Sequence, residues 1–345
     1  MKNILVTGGA GFIGSNFAHY MIRTHPDYKI VVYDKLTYAG NTNNLLDVHD
    51  EPRFKFVKGD IADHVAVEQV IQDQAIDTIV NFAAETHVDR SILDPDSAHR
   101  TNFNGVYVLL EAARKFKLER FHQVSTDEVY GSIPVGFFKE GDPLEPNSPY
   151  SASKAGGELM VRAYQVTYGL NTVVTRGSNT YGPYQYPEKV LPLFITNAID
   201  NEPLPMYGDG MQVRDWLYVE DHCSGIDLVL HKGQSGEIYN LGGGNEKHNI
   251  EITRLILQLL DKPETLIKRV QDRPGHDRRY ALNCDKLKAL GWQPSRAFEA
   301  GMAETVAWYQ KNEWWWRPIK SGEFRTYYEQ QYGERLATAS AFATN

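Results

Sequence analysis

Two acids, Asp127 and Glu128, stand side by side in "QVSTDEVYG", where a strand-like run ends. Two carboxyls buried together repel, so one keeps its proton while its neighbour loses it. Such a pair can take a proton from one carbon while protonating a hydroxyl that leaves the next, and it titrates as a coupled unit. Neighbours on a strand point to opposite faces, so both acids reach one pocket only if the chain turns. A first helical turn does this, setting neighbours about 100° apart. It also allows a plainer use. Ser125-x-x-Glu128 fits a capping box, and acids in a first turn favour the helix macrodipole.

A second pairing lies in "NSPYSASKAGGEL", where Tyr150 and Lys154 are four residues apart and share one face of a helix. Ser148 as N-cap and Pro149 at the first helical position explain why that helix begins there. A third constellation is "TGGAGFIG". Its Gly8, Gly11 and Gly14 follow a strand and open a helix, the setting in which glycines let a backbone approach a pyrophosphate. Asp34 ends the next strand, twenty residues past Gly14, where an acid bonds the ribose hydroxyls and favours NAD over NADP. Lys35 weakens that preference. Asp60 and Ile61 end a third strand, where the acid could meet the adenine or merely close a turn. With NAD bound, the lysine ammonium and the positive nicotinamide would lower the Tyr150 pKa. The alternative is a tyrosine packed by its ring beside a solvated lysine.

The elements that must hold these groups alternate. "NILVT", "KIVVYD", "FKFVKGD", "IDTIVNFAA" and "RFHQVST" read as strands. "GFIGSNFAHYMIRTH", "VAVEQVIQDQ" and "GVYVLLEAARKF" read as the helices between them. Such alternation predicts an α/β fold, a Rossmann-type doubly wound parallel sheet. Past about residue 180 the rhythm breaks into Pro- and Gly-rich pieces, expected to form a smaller, mixed C-terminal substrate-binding lobe over the sheet's carboxyl edge. The expected division is 1–180 for the NAD-binding domain, with roughly 211–240 returning to it. Residues 181–335 are mainly substrate lobe and 336–345 a flexible tail.

With 345 residues, 42% hydrophobic and 23% charged, the chain can bury a substantial core, and a net charge of −8 disfavours nucleic acid and membrane surfaces. Cys223 and Cys284 form no framework, pointing to a reduced, cytoplasmic setting. The first apolar run is too short for a signal peptide, and nothing approaches a membrane span. Histidines 222, 248 and 276 lack ligand spacing, so no metal is expected. "NEWWWRP" reads as aromatics that pin a terminal helix to the core.

Gly8-x-x-Gly11-x-x-Gly14, Ser125–Thr126 and Tyr150-x-x-x-Lys154 resemble the extended short-chain dehydrogenase/reductase superfamily over nearly the whole chain. "STDEVYG", "NFAAETHVDRS", "NTYGPYQYPEKVLPLF", "GDGMQVRDWLYVEDH" and "DRPGHDRRYALN" are similar to the dTDP-glucose 4,6-dehydratases, whereas the superfamily's epimerases lack the Asp–Glu pair. The resemblance implies an internal redox reaction on dTDP-glucose. Tyr150 would take the C4 hydroxyl proton beside Thr126, Glu128 would take the C5 proton, and protonated Asp127 would release the C6 hydroxyl as water. It implies NAD contacts from Phe12, Ile13, Ala83, Ala84, Thr101 and Ser125. Substrate contacts would come from Glu85, Thr86, Asn179, Lys189, Arg214, Asn249, Arg273, His276 and Asp277, the arginines converging on the pyrophosphate. In plainer readings Arg214 is a surface ion-pair partner and His276 a loop histidine. The family usually shows Asn-Asn where this chain has Asn179-Thr180, and threonine can donate one hydrogen bond there. The helices "GVYVLLEAARKF" and "KAGGELMVRAYQV", the latter with Gly156 and Gly157, would pair across a homodimer. Other readings are an epimerase, a dehydratase for another nucleotide-hexose, or a non-catalytic NAD-binding sensor.

Overall fold

The computed structural model describes residues 1–273 and 276–341. The chain runs β1 (Asn3–Thr7), α1 (Phe12–Thr24), β2 (Lys29–Asp34), β3 (Phe54–Lys58), α2 (His64–Asp73) and β4 (Thr78–Asn81). It continues with α3 (Val88–Leu93), α4 (Pro95–His99), α5 (Val106–Lys115), β5 (Arg120–Thr126), α6 (Pro149–Tyr168), β6 (Thr172–Gly177) and β7 (Asn179–Tyr181). Then come α7 (Val190–Ile199), β8 (Leu204–Tyr207), β9 (Val213–Tyr218), α8 (Val219–Lys232), β10 (Ile238–Leu241), β11 (Glu246–His248) and α9 (Asn249–Leu259). The last elements are β12 (Ile267–Val270), α10 (Asp285–Ala289), α11 (Phe298–Lys311), α12 (Glu313–Ile319), α13 (Glu323–Ala337) and β13 (Ser340–Ala341).

Seven strands form one parallel sheet in the order β3-β2-β1-β4-β5-β6-β10. Side chains alternate between two cores. Ile4, Val6 and Val32 pack with Phe17, Met21 and Ile226 on the α1/α8 face. Leu5, Val31 and Phe121 pack with Val67, Leu109 and Val161 on the α2/α5/α6 face. Both faces being covered, the strands read as nearly continuous apolar runs. The order reverses between β1 and β4, and the crevice at their carboxyl ends is where ligands sit in such sheets.

Two strands, β6 and β10, come from sequence not read as strand. β6 carries Arg176, 3% exposed, whose guanidinium bonds Glu158 of α6 at 2.7 and 2.9 Å. A buried ion pair is tolerated only with such geometry, and its charge hides the strand in the sequence.

The second lobe holds two small mixed sheets, β11-β9-β7 and β13-β12-β8. Its core gathers Phe194, Trp216, Ile256 and Tyr309. Trp315 and Trp316 are buried there, donating to Asn44 Oδ1 and the Tyr309 carbonyl, while Trp314 is exposed. The pinning role thus falls to two of the three. Within the segment expected as a tail, α13 runs to Ala337 and Ser340–Ala341 pair with β12; residues 342–345 lie outside the described residues.

Candidate active site

The glycine turn leaves β1 with Gly8 at φ +65°, and a Cβ there would lie 2.6 Å from the Ala83 nitrogen at the end of β4. Only glycine lets the two strand ends close together. Gly11, the N-cap of α1, differs. A Cβ there would meet no protein atom nearer than the Gly8 carbonyl at 3.2 Å, so its missing side chain keeps the cleft open rather than the packing tight. Asp34 accepts hydrogen bonds from the Ala10 N–H at 3.0 Å and the Leu36 N–H at 2.8 Å. Burial raises its pKa against those two donors. Lys35 reaches away from Asp34 to Asp60, at 2.9 Å, so its charge is partly neutralised. Burial would raise Asp60, but the Ala62 N–H, Lys35 and Arg100 prevail and hold it low.

Phe12, Ile13, Gly14, Ile61, Ala83, Ala84, Thr101 and Ser125 line the same cleft as Gly8, Gly11 and Asp34. Ser125 Oγ is buried with no partner among the described residues. Buried hydroxyls are normally satisfied, so the glycine cradle, the acid ending β2 and this idle hydroxyl fit a dinucleotide.

Along the cleft, β5 continues through Thr126 and then turns into a single 3₁₀ turn, Asp127–Tyr130. Thr126, not Ser125, caps that turn, its Oγ1 accepting the Glu128 N–H at 3.3 Å. The Ser125-x-x-Glu128 capping box is therefore absent: Ser125 is still on the strand and faces the cleft. The turn brings Asp127 and Glu128 into one lining, in unlike surroundings. Asp127 is 2% exposed and its Oδ2 has no partner. Burial first, then the neighbouring Glu128 charge, push its pKa well up. Burial also raises Glu128, but Lys189, Arg273 and Arg214 act to keep it charged.

Helix α6 begins as its sequence dictates: Ser148 Oγ accepts the Ser151 N–H at 3.1 Å, and Ser151 Oγ reciprocates on the Ser148 N–H. Tyr150 and Lys154 project from its buried face into the cleft. Lys154 Nζ donates to the Val124 carbonyl at 2.8 Å, and burial lowers its pKa to about 8. The chain's own groups leave the Tyr150 phenol raised. Burial and the Glu128 charge outweigh its hydrogen bond with Thr126.

The second lobe brings cations to Glu128. Lys189, N-cap of α7, donates from Nζ to the Thr86 carbonyl at 2.6 Å. Arg214 is 6% exposed and lies over the Tyr280 ring, 4.3 Å from its centroid. Its guanidinium donates to the Val213 and Asp277 carbonyls, with no carboxylate pairing among the described residues. The surface ion-pair reading of Arg214 therefore fails. Arg273 donates from NH1 to Asp89 at 2.6 Å, and its Nε is buried without a partner among the described residues. Together they hold positive charge beside an acid pair at a nucleotide cradle.

A sequence profile of the family described as GDP-mannose 4,6 dehydratase matches residues 5–305. A dTDP-glucose 4,6-dehydratase of Streptomyces niveus is 50% identical over 328 residues, 94% of this chain and 97% of that one. The chain belongs to the dTDP-glucose 4,6-dehydratase family. Among solved structures of that family, the Bacillus anthracis enzyme in complex with NAD has a TM-score of 0.87 at 53% identity. It covers 93% of this chain and 100% of its own. The Streptomyces venezuelae enzyme DesIV, with NAD and TYD bound, has a TM-score of 0.90 at 49% identity, covering 92% and 100%.

Of the residues expected to hold substrate in this dehydratase fold, Glu85, Thr86, Asn179 and Lys189 line the cleft with the catalytic set. Arg214 and Arg273 act on Glu128 from beyond that lining. Asn179 Oδ1 and Asn249 Oδ1 are buried and unpartnered, ready for a ligand donor. His276 is a loop residue whose Nδ1 meets Asp272 at 2.6 Å, and burial lowers its pKa to about 4. Asp277 accepts from Asn147 at 2.7 Å and from the Tyr280 hydroxyl at 2.6 Å. Pro274 and Gly275 of the same motif lie outside the described residues. Thr180, where the family usually has asparagine, shares its hydroxyl between the Ser178 carbonyl and His222 Nδ1, at 3.1 and 2.6 Å. Its hydrogen-bonding is satisfied inside the protein.

Sequence reasoning missed several positioning groups. Asn102 sits in a π-helical segment, Arg100–Gly105, where its amide clasps both backbone groups of Glu85 and the Ser153 hydroxyl. Gly157 of α6 packs here, since a Cβ would lie 2.5 Å from the Asn102 carbonyl, and Gly156 faces Phe103. Those small residues serve packing within the chain. Glu188, buried, accepts from Arg90 at 2.8 Å and Tyr38 at 3.0 Å. The one His/carboxylate group among the described residues with metal-ligand spacing, His25, Asp227 and His231, lies apart from the cleft lining.

Proposed function

We propose that the chain converts dTDP-glucose into dTDP-4-keto-6-deoxyglucose and water, as an NAD-dependent hydro-lyase of deoxysugar biosynthesis. One observation carries this reading: two adjacent carboxyls, Asp127 pushed well up by burial and Glu128 raised against the pull of three cations, share a cleft with Tyr150, Lys154 and a dinucleotide cradle. Gly8, Gly11, Gly14, Asp34 and Ser125 would hold NAD⁺, which would supply the hydride acceptor for the sugar C4 and the hydride donor for C6.

Tyr150 takes the proton of the C4 hydroxyl, and Thr126 bonds the same oxygen. Burial keeps the phenol protonated in the chain alone, so its activation falls to Lys154 and to the charge of the cofactor ring. A ketone at C4 acidifies the C5 proton, which Glu128 removes. Asp127, kept protonated by burial and by the Glu128 charge, gives its proton to the C6 hydroxyl, which departs as water. Glu128 returns its proton to C5 as hydride returns to C6, and passing the proton that Tyr150 took from the C4 hydroxyl on to Asp127 restores the chain.

Arg214, Arg273 and Lys189 hold the pyrophosphate side of the substrate, with Asn179, Asn249, His276, Asp277, Glu85 and Thr86 around it. Residues 1–180, joined by α8 and β10, act as the NAD-binding unit, and most of the remainder to 335 as the substrate unit. The working form is a cytoplasmic homodimer. Exposed Leu159 and Val166 on α6 support a second copy on that face. Incubating the purified chain with dTDP-, UDP-, CDP- and GDP-glucose tests the reading by product mass. A product lighter by one water from dTDP-glucose is expected. An unchanged substrate, or an isomer of equal mass, would remove the dehydratase assignment; preference for another base would reassign only the nucleotide. A silent sensor would keep its function in Tyr150→Phe.

A further inference from the structure

Away from the cleft, α1 ends at His25 and packs along α8, which carries Asp227 and His231 four residues apart on one face. His25 Nε2 lies 2.9 and 3.0 Å from the two oxygens of Asp227. His231 Nδ1 lies 2.9 Å from Asp227 Oδ1, and the three ligand atoms all fall within 4.8 Å of one another. All three residues are half-buried, leaving room for water as a further ligand.

We propose that His25, Asp227 and His231 form a binding site for a divalent transition-metal ion of the Zn²⁺ class, clamping α1 to α8. Two imidazoles and a carboxylate are a ligand set that such ions favour, with water in the fourth position. Metal bonds of about 2.0–2.1 Å in a tetrahedron hold ligand atoms about 3.4 Å apart. The two 2.9 Å contacts therefore need to open by about half an ångström. The outer partner is already present: His231 Nε2 is 2.8 Å from the Tyr28 hydroxyl. A donor N–H on that side leaves the Nδ1 lone pair for the ion, the second-shell arrangement typical of metal-bound histidine. In the metal-free chain a proton on His231 Nδ1 is shared between Asp227 Oδ1 and the Asp227 carbonyl at 2.8 Å. The ion takes that proton's place. The surroundings favour a cation: Asp27, Asp77 and Glu119 all act on Tyr28 beside the site. The opposing charges are Arg120, bonded to the Leu230 and Gly233 carbonyls, and the Met1 ammonium, which pairs with Asp77 and Glu119.

The test titrates tag-free, NAD-loaded protein with ZnCl₂, following heat release and thermal unfolding, with MgCl₂ as control. One saturable equivalent of Zn²⁺ is expected, with a rise in unfolding temperature of roughly 3–6 °C at a hundredfold excess over Kd. Co²⁺ should give the visible absorption of a four-coordinate centre. His25→Gln and His231→Gln should each abolish the saturable binding and the temperature shift while leaving dehydratase turnover unchanged. Absence of saturable binding by the unaltered chain overturns the proposal without recourse to a variant, and so does equal binding by both variants.

Discussion

On the sheet side of the cleft, ligand is met by backbone. Gly8 closes on Ala83, Gly11 leaves open space, and Asp34 is fixed by two neighbouring N–H groups. On the lobe side it is met by long charged side chains, each held by a partner far away in sequence. Arg273 is held by Asp89, Lys189 by Thr86, and Asn102 secures the Glu85 loop from a π-helical turn. A backbone cradle is indifferent to most single substitutions and intolerant of a few. A side-chain network can be weakened in steps, through residues that never touch the ligand. The Asp127–Glu128 turn stands between them, capped by the Thr126 hydroxyl yet tuned by lobe cations.

The largest effects should come where the walls meet. Glu128→Gln should still permit oxidation at C4, seen as reduced-cofactor absorbance, while C5 exchange with deuterated water and water loss fall by about 10²–10⁴-fold. Asp127→Asn should slow C6–O cleavage by a similar factor but keep C5 exchange. Were both variants to eliminate water at the native rate, the acids would have no part beyond shaping the turn.

The sheet wall should break in one residue. Gly8→Ala forces a side chain at φ +65° and sets its Cβ 2.6 Å from the Ala83 nitrogen. The left-handed conformation alone costs about 1–2 kcal/mol, so NAD affinity should fall at least about tenfold. Sugar-nucleotide KM, measured at saturating NAD, should hardly move. A variant that keeps NAD as tightly as the parent would contradict the backbone account.

The lobe wall should yield by degrees. Asp89 also accepts from Tyr207 at 3.2 Å and Gln331 at 3.0 Å, so it ties α3 to α13 as well as steering Arg273. Asp89→Asn retains the shape and removes the charge. The expected result is a KM for dTDP-glucose about tenfold higher, equivalent to about 1.4 kcal/mol, with kcat and NAD affinity preserved. A loss of kcat with KM intact would place Asp89 in the chemistry instead.

The same contrast governs what could be read from sequence. The glycine turn, the acid ending β2, the Ser148–Pro149 helix start and the Tyr150/Lys154 spacing are local, so periodicity and capping rules reach them. β6 escaped because Arg176 is charged, and its burial makes sense only once Glu158 lies opposite. β10 has four residues, too few to show a period. The capping box offered as the plainer use of Ser125 fails because Ser125 is paired within β5, which ends where "RFHQVST" ends, and the cap falls to Thr126. Glu188, Asn102 and Asp89 went unnoticed since their partners lie 17 to 242 residues away. The burial that raises the Tyr150 phenol among the chain's own groups is a tertiary quantity, which spacing along the sequence does not display.

The smallest expected effect is thermodynamic, and it decides whether Asp127 can be the proton donor. Burial and Glu128 raise its pKa in the folded chain above the ordinary 3.8. The folded state then binds this proton more tightly than the unfolded state does. The corresponding stability is complete below the ordinary value and is lost as pH climbs towards the raised one. Asn at this position carries no titrating proton and imitates the neutral acid. The difference in unfolding free energy between Asp127→Asn and the parent, followed by urea denaturation from about pH 4 to 8, should therefore drift in favour of the variant as pH rises. Glu128 is raised in the same sense but is present in both proteins, so it shifts both curves and leaves the sign of the drift intact. A difference that stays level across this range would mean that Asp127 ionises like an ordinary carboxyl. It would then be charged at neutral pH, with no proton to give to a departing hydroxyl.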